Sequence, residues 1–413
     1  MTSRTLSAWS LCCMGLSALA GDWPQFLGPT RDAVYAGPAL AVAWPKEGPR
    51  TVWSAAVGEG YSSPVVADGR VVICHRVGDQ LVVDCLEAKS GRPLWKFEHA
   101  MKFKDGAFQD HGPRPTPAIR DGRVFVQNTD GYLVCLELAD GKKVWSRQAK
   151  SEFKSSATWH GVTASPLVTD TAVILPVGAT NAGVVAFSAK DGRTLWQAFD
   201  DKASSSSPVL AKVGGAEQLL VVTRSAFRGV NPATGEALWS VATRKQTSGD
   251  VYAASPVVVG EQVFLSGWYK LGAQVLDLSG REPRVVWQRD DVLSTHYATA
   301  VVHDGHLYGF HGHAWEAGGP SLRCVEMATG RVKWQQPKSA SGTIVRSGGS
   351  LLIWTDAGEL IMARADPSAY RIEARAQVLG RNTRSYPAVA DGFVFLRDTK
   401  KLICLDLRAS GMK

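Results

Sequence analysis

The sequence predicts an all-β chain folded as an eight-bladed β-propeller, each blade a four-stranded antiparallel sheet. Three observations predict it. A tryptophan recurs at Trp53, Trp95, Trp145, Trp196, Trp239, Trp287 and Trp334, in steps of roughly 40 to 50 residues, the period of one repeated supersecondary unit. A Pro preceded by Ser, Thr or Tyr recurs in SSPVV, PTPAI, ASPLV, SSPVL, ASPVV and SYPAV, at Pro64, Pro117, Pro166, Pro208, Pro256 and Pro387. The two chain ends complement each other: RTVWSAAVG, around Trp53, reads as a last strand with nothing before it, and the final repeat stops after ICLDL.

Residues 113–145 set the template. Apolar runs at Thr116–Ile119, Val124–Gln127 and Tyr132–Leu136 are followed by a fourth that carries Trp145. Asp121-Gly122 suits a two-residue hairpin, because Gly accepts a positive φ, and Ala139-Asp140-Gly141 is a second turn signal. The result is a meander of strands A, B, C and D. One such sheet cannot bury both faces alone, so it requires neighbours. A strands fall near 64, 117, 166, 208, 256, 299, 344 and 387; the sixth has Thr299 in ATAVV, and the seventh unit lacks a D-strand tryptophan. The strand around Trp53 is expected to complete the last blade and leave no free edge. The expected organisation is a signal peptide over 1–20, an irregular arm over 21–50 packed across the repeats, and the propeller over 51–413.

Composition sets the class. With 45% hydrophobic and 20% charged residues, the chain can fill a large core. The net charge of +8 is scattered without a basic run, which argues against nucleic acid. Arg4, the apolar Leu6–Leu19 and the Ala18-Leu19-Ala20 site have the pattern of a cleaved secretory signal, too short to span a bilayer. The mature protein is expected to be exported, periplasmic or extracellular, not transmembrane, and monomeric. Its remaining cysteines are Cys74, Cys85, Cys135, Cys324 and Cys404. Four share one strand-C slot, as in VCLEL and RCVEM, where a small buried residue suffices; Cys74 and Cys85, on adjacent strands, leave a disulfide open. No metal-ligand spacing links them.

The phrases VNPATGEALW and CVEMATGRVKW resemble the repeat of pyrroloquinoline-quinone-type propellers, a superfamily that includes the quinoprotein alcohol dehydrogenases and the outer-membrane β-barrel assembly lipoprotein. DWPQFLGPTRD and HGPRPTPAI are similar to its shorter exported members. The resemblance implies the fold over nearly the whole mature chain and says little about activity, since the Gly and Trp serve blade packing.

In a meander propeller the B–C and D–A loops share one face. Here they carry the polar residues, including six of the nine histidines, so a ligand site is expected there, near the axis. The candidates are His75, Arg76, His111, Arg114, His160, Arg224, Tyr252, Trp268, His296, Trp315 and Arg384. His311 and His313 in FHGHAWEAGGP, with His296, form a candidate metal set. Arg114 and Arg384 suit a carboxylate of an acidic glycan or a peptide terminus. The enzymes of the superfamily hold pyrroloquinoline quinone against an adjacent-cysteine disulfide, with calcium beside it. The adjacent cysteines here, Cys12 and Cys13, lie in the signal peptide, carboxylates such as Asp130, Asp250, Glu316 and Asp356 are spread over the chain, and no hydrolase nucleophile motif appears. The expectation is therefore a non-catalytic binding or scaffold module for a protein or an envelope glycan or peptide, without a cofactor. A quinone- and calcium-dependent dehydrogenase of alcohols or sugars is the alternative, and a metal or glycan site on the same face the second.

Overall fold

A computed structural model describes residues 21–106, 110–156, 160–244, 252–269, 271–313, 316 and 318–409.

 The expected signal peptide, Cys12, Cys13, Asp250 and Trp315 lie outside the described residues. Eight antiparallel sheets follow one another along the chain. Blade 1 comprises Val65–Ala67, Arg70–Val77, Gln80–Glu87 and Pro93–Ala100, and the other blades repeat that order of strands A to D. B and C strands are almost wholly buried, whereas D strands, at the outer rim, alternate between buried and exposed positions. That is the burial expected of blades that cover each other's faces.

The ring is sealed by its two ends. Arg50–Ala56 pairs antiparallel with Lys401–Asp406 and becomes strand D of blade 8, with Trp53 opposite Cys404. Blade 7 is a regular four-stranded sheet, Gly342–Ser347, Ser350–Thr355, Glu359–Arg364 and Ile372–Gln377. Its departure from the repeat is chemical: Met362 stands opposite Ala374, in the register where other blades pair Cys85 with Trp95 or Cys135 with Trp145. Cys74, Cys85, Cys135, Cys324 and Cys404 are all free and buried, so Cys74 and Cys85 form no disulfide.

The recurring Gly and Trp are one device. The Trp53 indole donates to the Ala88 carbonyl of blade 1 (2.8 Å), Trp95 to Leu138 of blade 2 (2.8 Å), and Trp145 to Ala189 of blade 3 (3.1 Å). Each ring lies against the turn glycine of the next blade. A Cβ on Gly91 would come within 2.6 Å of Trp53, and one on Gly141 within 2.6 Å of Trp95. With φ near +70° as well, only glycine meets both demands. Trp239 is the exception: its indole donates to Gln218 of its own blade.

Residues 21–49 close the axis at the end where the A–B turns lie. Trp23 bridges Val66 of blade 1, and the Pro24 carbonyl accepts from Ile119 of blade 2 (2.7 Å). Arg31, buried, donates to the carbonyls of Pro166 (2.9 Å) and Ser165 (3.4 Å) at the start of blade 3. Val34–Tyr35 then adds a parallel strand to Gly342–Ser347 of blade 7, and the Tyr35 hydroxyl accepts from Gly392 of blade 8. The arm thus ties five blades together, 1, 2, 3, 7 and 8.

Candidate functional site

The Ser/Thr position before each A strand builds the wall of the axis. Ser63 N–H donates to Thr116 Oγ1 (3.1 Å), Thr116 N–H to Ser165 Oγ (2.9 Å), and Ser165 N–H to Ser207 Oγ (2.9 Å). Ser255 Oγ donates to the Ser207 carbonyl, and Ser255 N–H donates to Thr299 Oγ1 (3.0 Å). Thr299 N–H then donates to the Tyr386 hydroxyl (2.5 Å), passing over blade 7, and Tyr386 N–H returns to Ser63 Oγ (2.8 Å). Buried backbone donors that the sheets leave over are thereby satisfied by side chains of neighbouring blades.

Above this ring lies a cavity of about 180 Å³. Arg114, His160, His296 and Arg384 of the candidate set line it, with Tyr61, Tyr297 and Tyr386 as aromatic walls and Phe26 of the arm as floor. The Arg384 guanidinium lies 5.5 Å from the Tyr61 ring centre and 5.7 Å from that of Tyr297, and Arg114 lies 5.1 Å from Tyr61. These are cation–π distances. Asp105, whose side chain is fully buried, pairs with Arg114 and with His160 Nδ1 (3.0 Å).

His296, of the loop entering blade 6, and His313, of that blade's B–C loop, are neutral. Burial, with His313, Arg384 and His160 nearby, pushes His296 down to about 3, and burial with Arg384 pushes His313 down to about 4. Their rings stand 4.7 Å apart, and Trp268 lies 4.5 Å from His296 and 4.6 Å from His313, with its indole donating to Glu316 Oε1 (2.8 Å). His296 Nδ1 and the Tyr297 hydroxyl are buried without a hydrogen-bond partner among the described residues. Burial raises the Tyr297 phenol well above its usual range, so it stays protonated.

Other candidates are spent elsewhere. His75 Nδ1 accepts from Gly58 (2.9 Å), which leaves Nε2–H to donate to Asp84 (2.8 Å). Arg76 holds the carbonyls of Gly78, Phe103 and His111, and His111 Nδ1 accepts from Asp105 N–H (3.0 Å). The Tyr252 hydroxyl accepts from Arg244 N–H (3.2 Å). Arg224 lines a separate outer cleft of about 590 Å³ with Lys154, Lys202 and Asp201. His311 turns from His296 and His313 to accept from Ser294 N–H (3.0 Å). Among the described residues, no three His, Cys, Asp or Glu side chains are grouped so as to hold a metal. Sequence reasoning missed Asp105, Tyr297 and Tyr386. Only Tyr386 carried a signal, as the Tyr of SYPAV in the slot where other repeats have Ser or Thr.

Comparison with known proteins places this architecture. Outer membrane protein assembly factor BamB of Yersinia pestis is 20% identical over 301 residues, covering 69% of this chain and 71% of that protein. Quinohemoprotein alcohol dehydrogenase ADH-IIG of Pseudomonas putida is 27% identical over 143 residues, 33% of this chain and 19% of the enzyme. This chain thus spans about a fifth of the dehydrogenase it matches. Among solved structures, BamB from Moraxella catarrhalis superposes with a TM-score of 0.65 at 14% identity, covering 88% of this chain and 99% of that one. The quinohemoprotein alcohol dehydrogenase of Comamonas testosteroni superposes at 0.73 and 13%, covering 96% and 82%. At such identities both structures establish the fold alone. The PQQ_2 family, described as outer membrane protein assembly factor BamB, matches residues 78–336, and the chain belongs to it.

Proposed function

We propose that the protein is an exported, non-catalytic propeller of the cell envelope that binds a protein partner through the face formed by its B–C and D–A loops. One observation carries this reading: the assembly-factor relative aligns over most of its own length, the dehydrogenase over 19%. An outer-membrane assembly component is the partner class that the relatives suggest. The cleft that holds Lys154, Lys202 and Arg224 beside Asp200 and Asp201 offers charges of both signs for pairing with a partner surface, and an envelope glycan or peptide is the other ligand class suited to it. The signal-like segment 1–20 supports export, and a monomer suits a ring that is closed on itself.

The dehydrogenase reading fits the residues less well. An adjacent-cysteine clamp on a quinone has no counterpart among the described cysteines, each of which sits singly inside a blade. Calcium asks for several converging oxygen ligands, and the described residues bring no such acidic group together. The axial cavity, at about 180 Å³, is little larger than an engineered cavity of roughly 150 Å³ that binds benzene, small for a tricyclic quinone.

The test is binding of the purified mature protein to the soluble domains of the outer-membrane assembly machinery from the same organism, by biolayer interferometry. Lys202→Glu with Arg224→Glu should weaken binding at least about tenfold, and Asp68→Lys on the opposite face should leave it unchanged. No binding, together with dye reduction by alcohols once quinone and calcium are supplied, would overturn the reading.

A further inference from the structure

We propose that the axial cavity binds a carboxylate carrying an aromatic or branched apolar body of about benzene size, with Arg384 as its anchoring cation. The inference goes beyond partner binding at the rim and does not depend on it.

Size comes first. The cavity of about 180 Å³ accepts one ring or a short branched chain, since a dry cavity of roughly 150 Å³ takes benzene. Its walls supply the matching surface: the rings of Phe26, Tyr61, Tyr297 and Tyr386. Charge comes second. Arg114 and Arg384 both face this space across the Tyr61 ring. No described carboxylate lines the cavity: Asp105 is fully buried and paired with Arg114 and His160, while Asp356 acts on Arg384 and Tyr297, and Asp110 on Tyr61, from outside that lining. The neighbouring His296 and His313 are neutral. A ligand therefore meets positive charge, and a guanidinium matches the planar fork of a carboxylate.

Unmet hydrogen bonding comes third. The buried Tyr297 hydroxyl and His296 Nδ1 lack partners among the described residues, a costly arrangement unless something else pairs with them. The protonated phenol is a donor, the kind of group a carboxylate oxygen requires. A free small acid and the C-terminal residue of a peptide present the same chemistry.

Titration calorimetry on the unmodified mature protein tests this with four probes: phenylacetate, phenylacetamide, the tripeptide Gly-Gly-Phe as its free acid, and its C-terminal amide. The expected result is that at least one acid binds and its amide is weaker by about tenfold or more, the loss of a charge-assisted contact. Arg384→Gln should abolish that acid–amide difference, and Tyr297→Phe should weaken the acid several-fold. A tighter tripeptide acid identifies a chain terminus as the source, and a tighter phenylacetate a free acid. Equal binding of acid and amide, or no binding of either acid, would overturn the proposal. Because that comparison is made on the unmodified protein, it holds even if a variant fails to fold.

Discussion

The hydroxyl of Tyr386 accepts the backbone N–H of Thr299 at 2.5 Å, joining blade 8 to blade 6 across the inner edge of blade 7. In blades 1, 2, 3, 4 and 6 a Ser or Thr hydroxyl receives the N–H of the blade before it, and in blade 5 Ser255 Oγ donates to the Ser207 carbonyl. Thr343, at this position of blade 7, instead donates its hydroxyl to the Ser385 carbonyl. A longer side chain from the next blade makes the missing link. Burial holds the Tyr386 phenol up at about 12, so it remains a neutral hydroxyl.

Tyr386→Phe should therefore leave a buried N–H without an acceptor, costing about 1–3 kcal/mol, read as a lower urea midpoint at unchanged m-value. Tyr386→Ser should cost more, because it also removes the ring that packs edge-on against Phe26 at 5.3 Å. A Phe variant as stable as the parent would show that this hydrogen bond is not part of the closed circuit.

Much of this ring was legible in the sequence because its construction repeats. The tryptophan spacing, the turn glycines and the split last blade each have one physical solution, and the register of Trp53 opposite Cys404 is the one the repeat requires. The site was legible only as a face. Arg114, His160, His296 and Arg384 converge because they precede A strands, which all run beside the axis. His75 and Arg76, by contrast, end a B strand and are consumed by Asp84, Gly58 and the carbonyls of the next loop. Periodicity cannot say which polar side chain a neighbouring loop will satisfy. Asp105 lies outside the repeat, so no period pointed to it.

The seal between the chain ends should behave as an ordinary blade interface. Gly91→Ala forces a Cβ to within 2.6 Å of the Trp53 ring, at a φ of 70° that disfavours any side chain; the expected loss is about 1–3 kcal/mol. Trp53→Ala should cost about 3–5 kcal/mol, the range for emptying a buried aromatic site. Both are measured by chemical denaturation, with Gly141→Ala, the equivalent change beside Trp95, as the internal comparison. If the Gly91 variant were unaffected while Gly141→Ala unfolded, the ends would not be carrying a closed ring.

Acid should loosen the rim of blades 5 and 6. His296, His311 and His313 are held near 3, 4 and 4, burial being the first cause in each, against about 6.5 in an unfolded chain. Below pH 6.5 the unfolded state binds protons that the folded state refuses, so stability falls as pH drops toward the folded values and is fully present above 6.5. The urea midpoint should decrease steadily from pH 6.5 to 4.5. In a His296→Gln, His313→Gln variant that slope should be visibly flatter, and an identical slope would assign the acid sensitivity to carboxylates elsewhere.

The arm across the axis should open before the blades do. Arg31 is a buried cation of the arm: burial pulls its guanidinium down to about 9, and its bonds go to the Pro166 and Ser165 carbonyls and to Gln25, none of them a carboxylate. Arg31→Ala removes those donors at once and leaves two buried carbonyls in blade 3 unmet, a loss of about 1–3 kcal/mol. Because the arm contributes one two-residue strand and scattered bridges, the loss should fall on local opening more than on the ring. Limited proteolysis is the measurement. The variant should be cut within residues 21–49 markedly faster than the parent, while fragments spanning the blades persist at the parental rate. Cleavage appearing first inside a blade, with the arm protected, would show that Arg31 supports the ring itself and not the closure beneath the cavity.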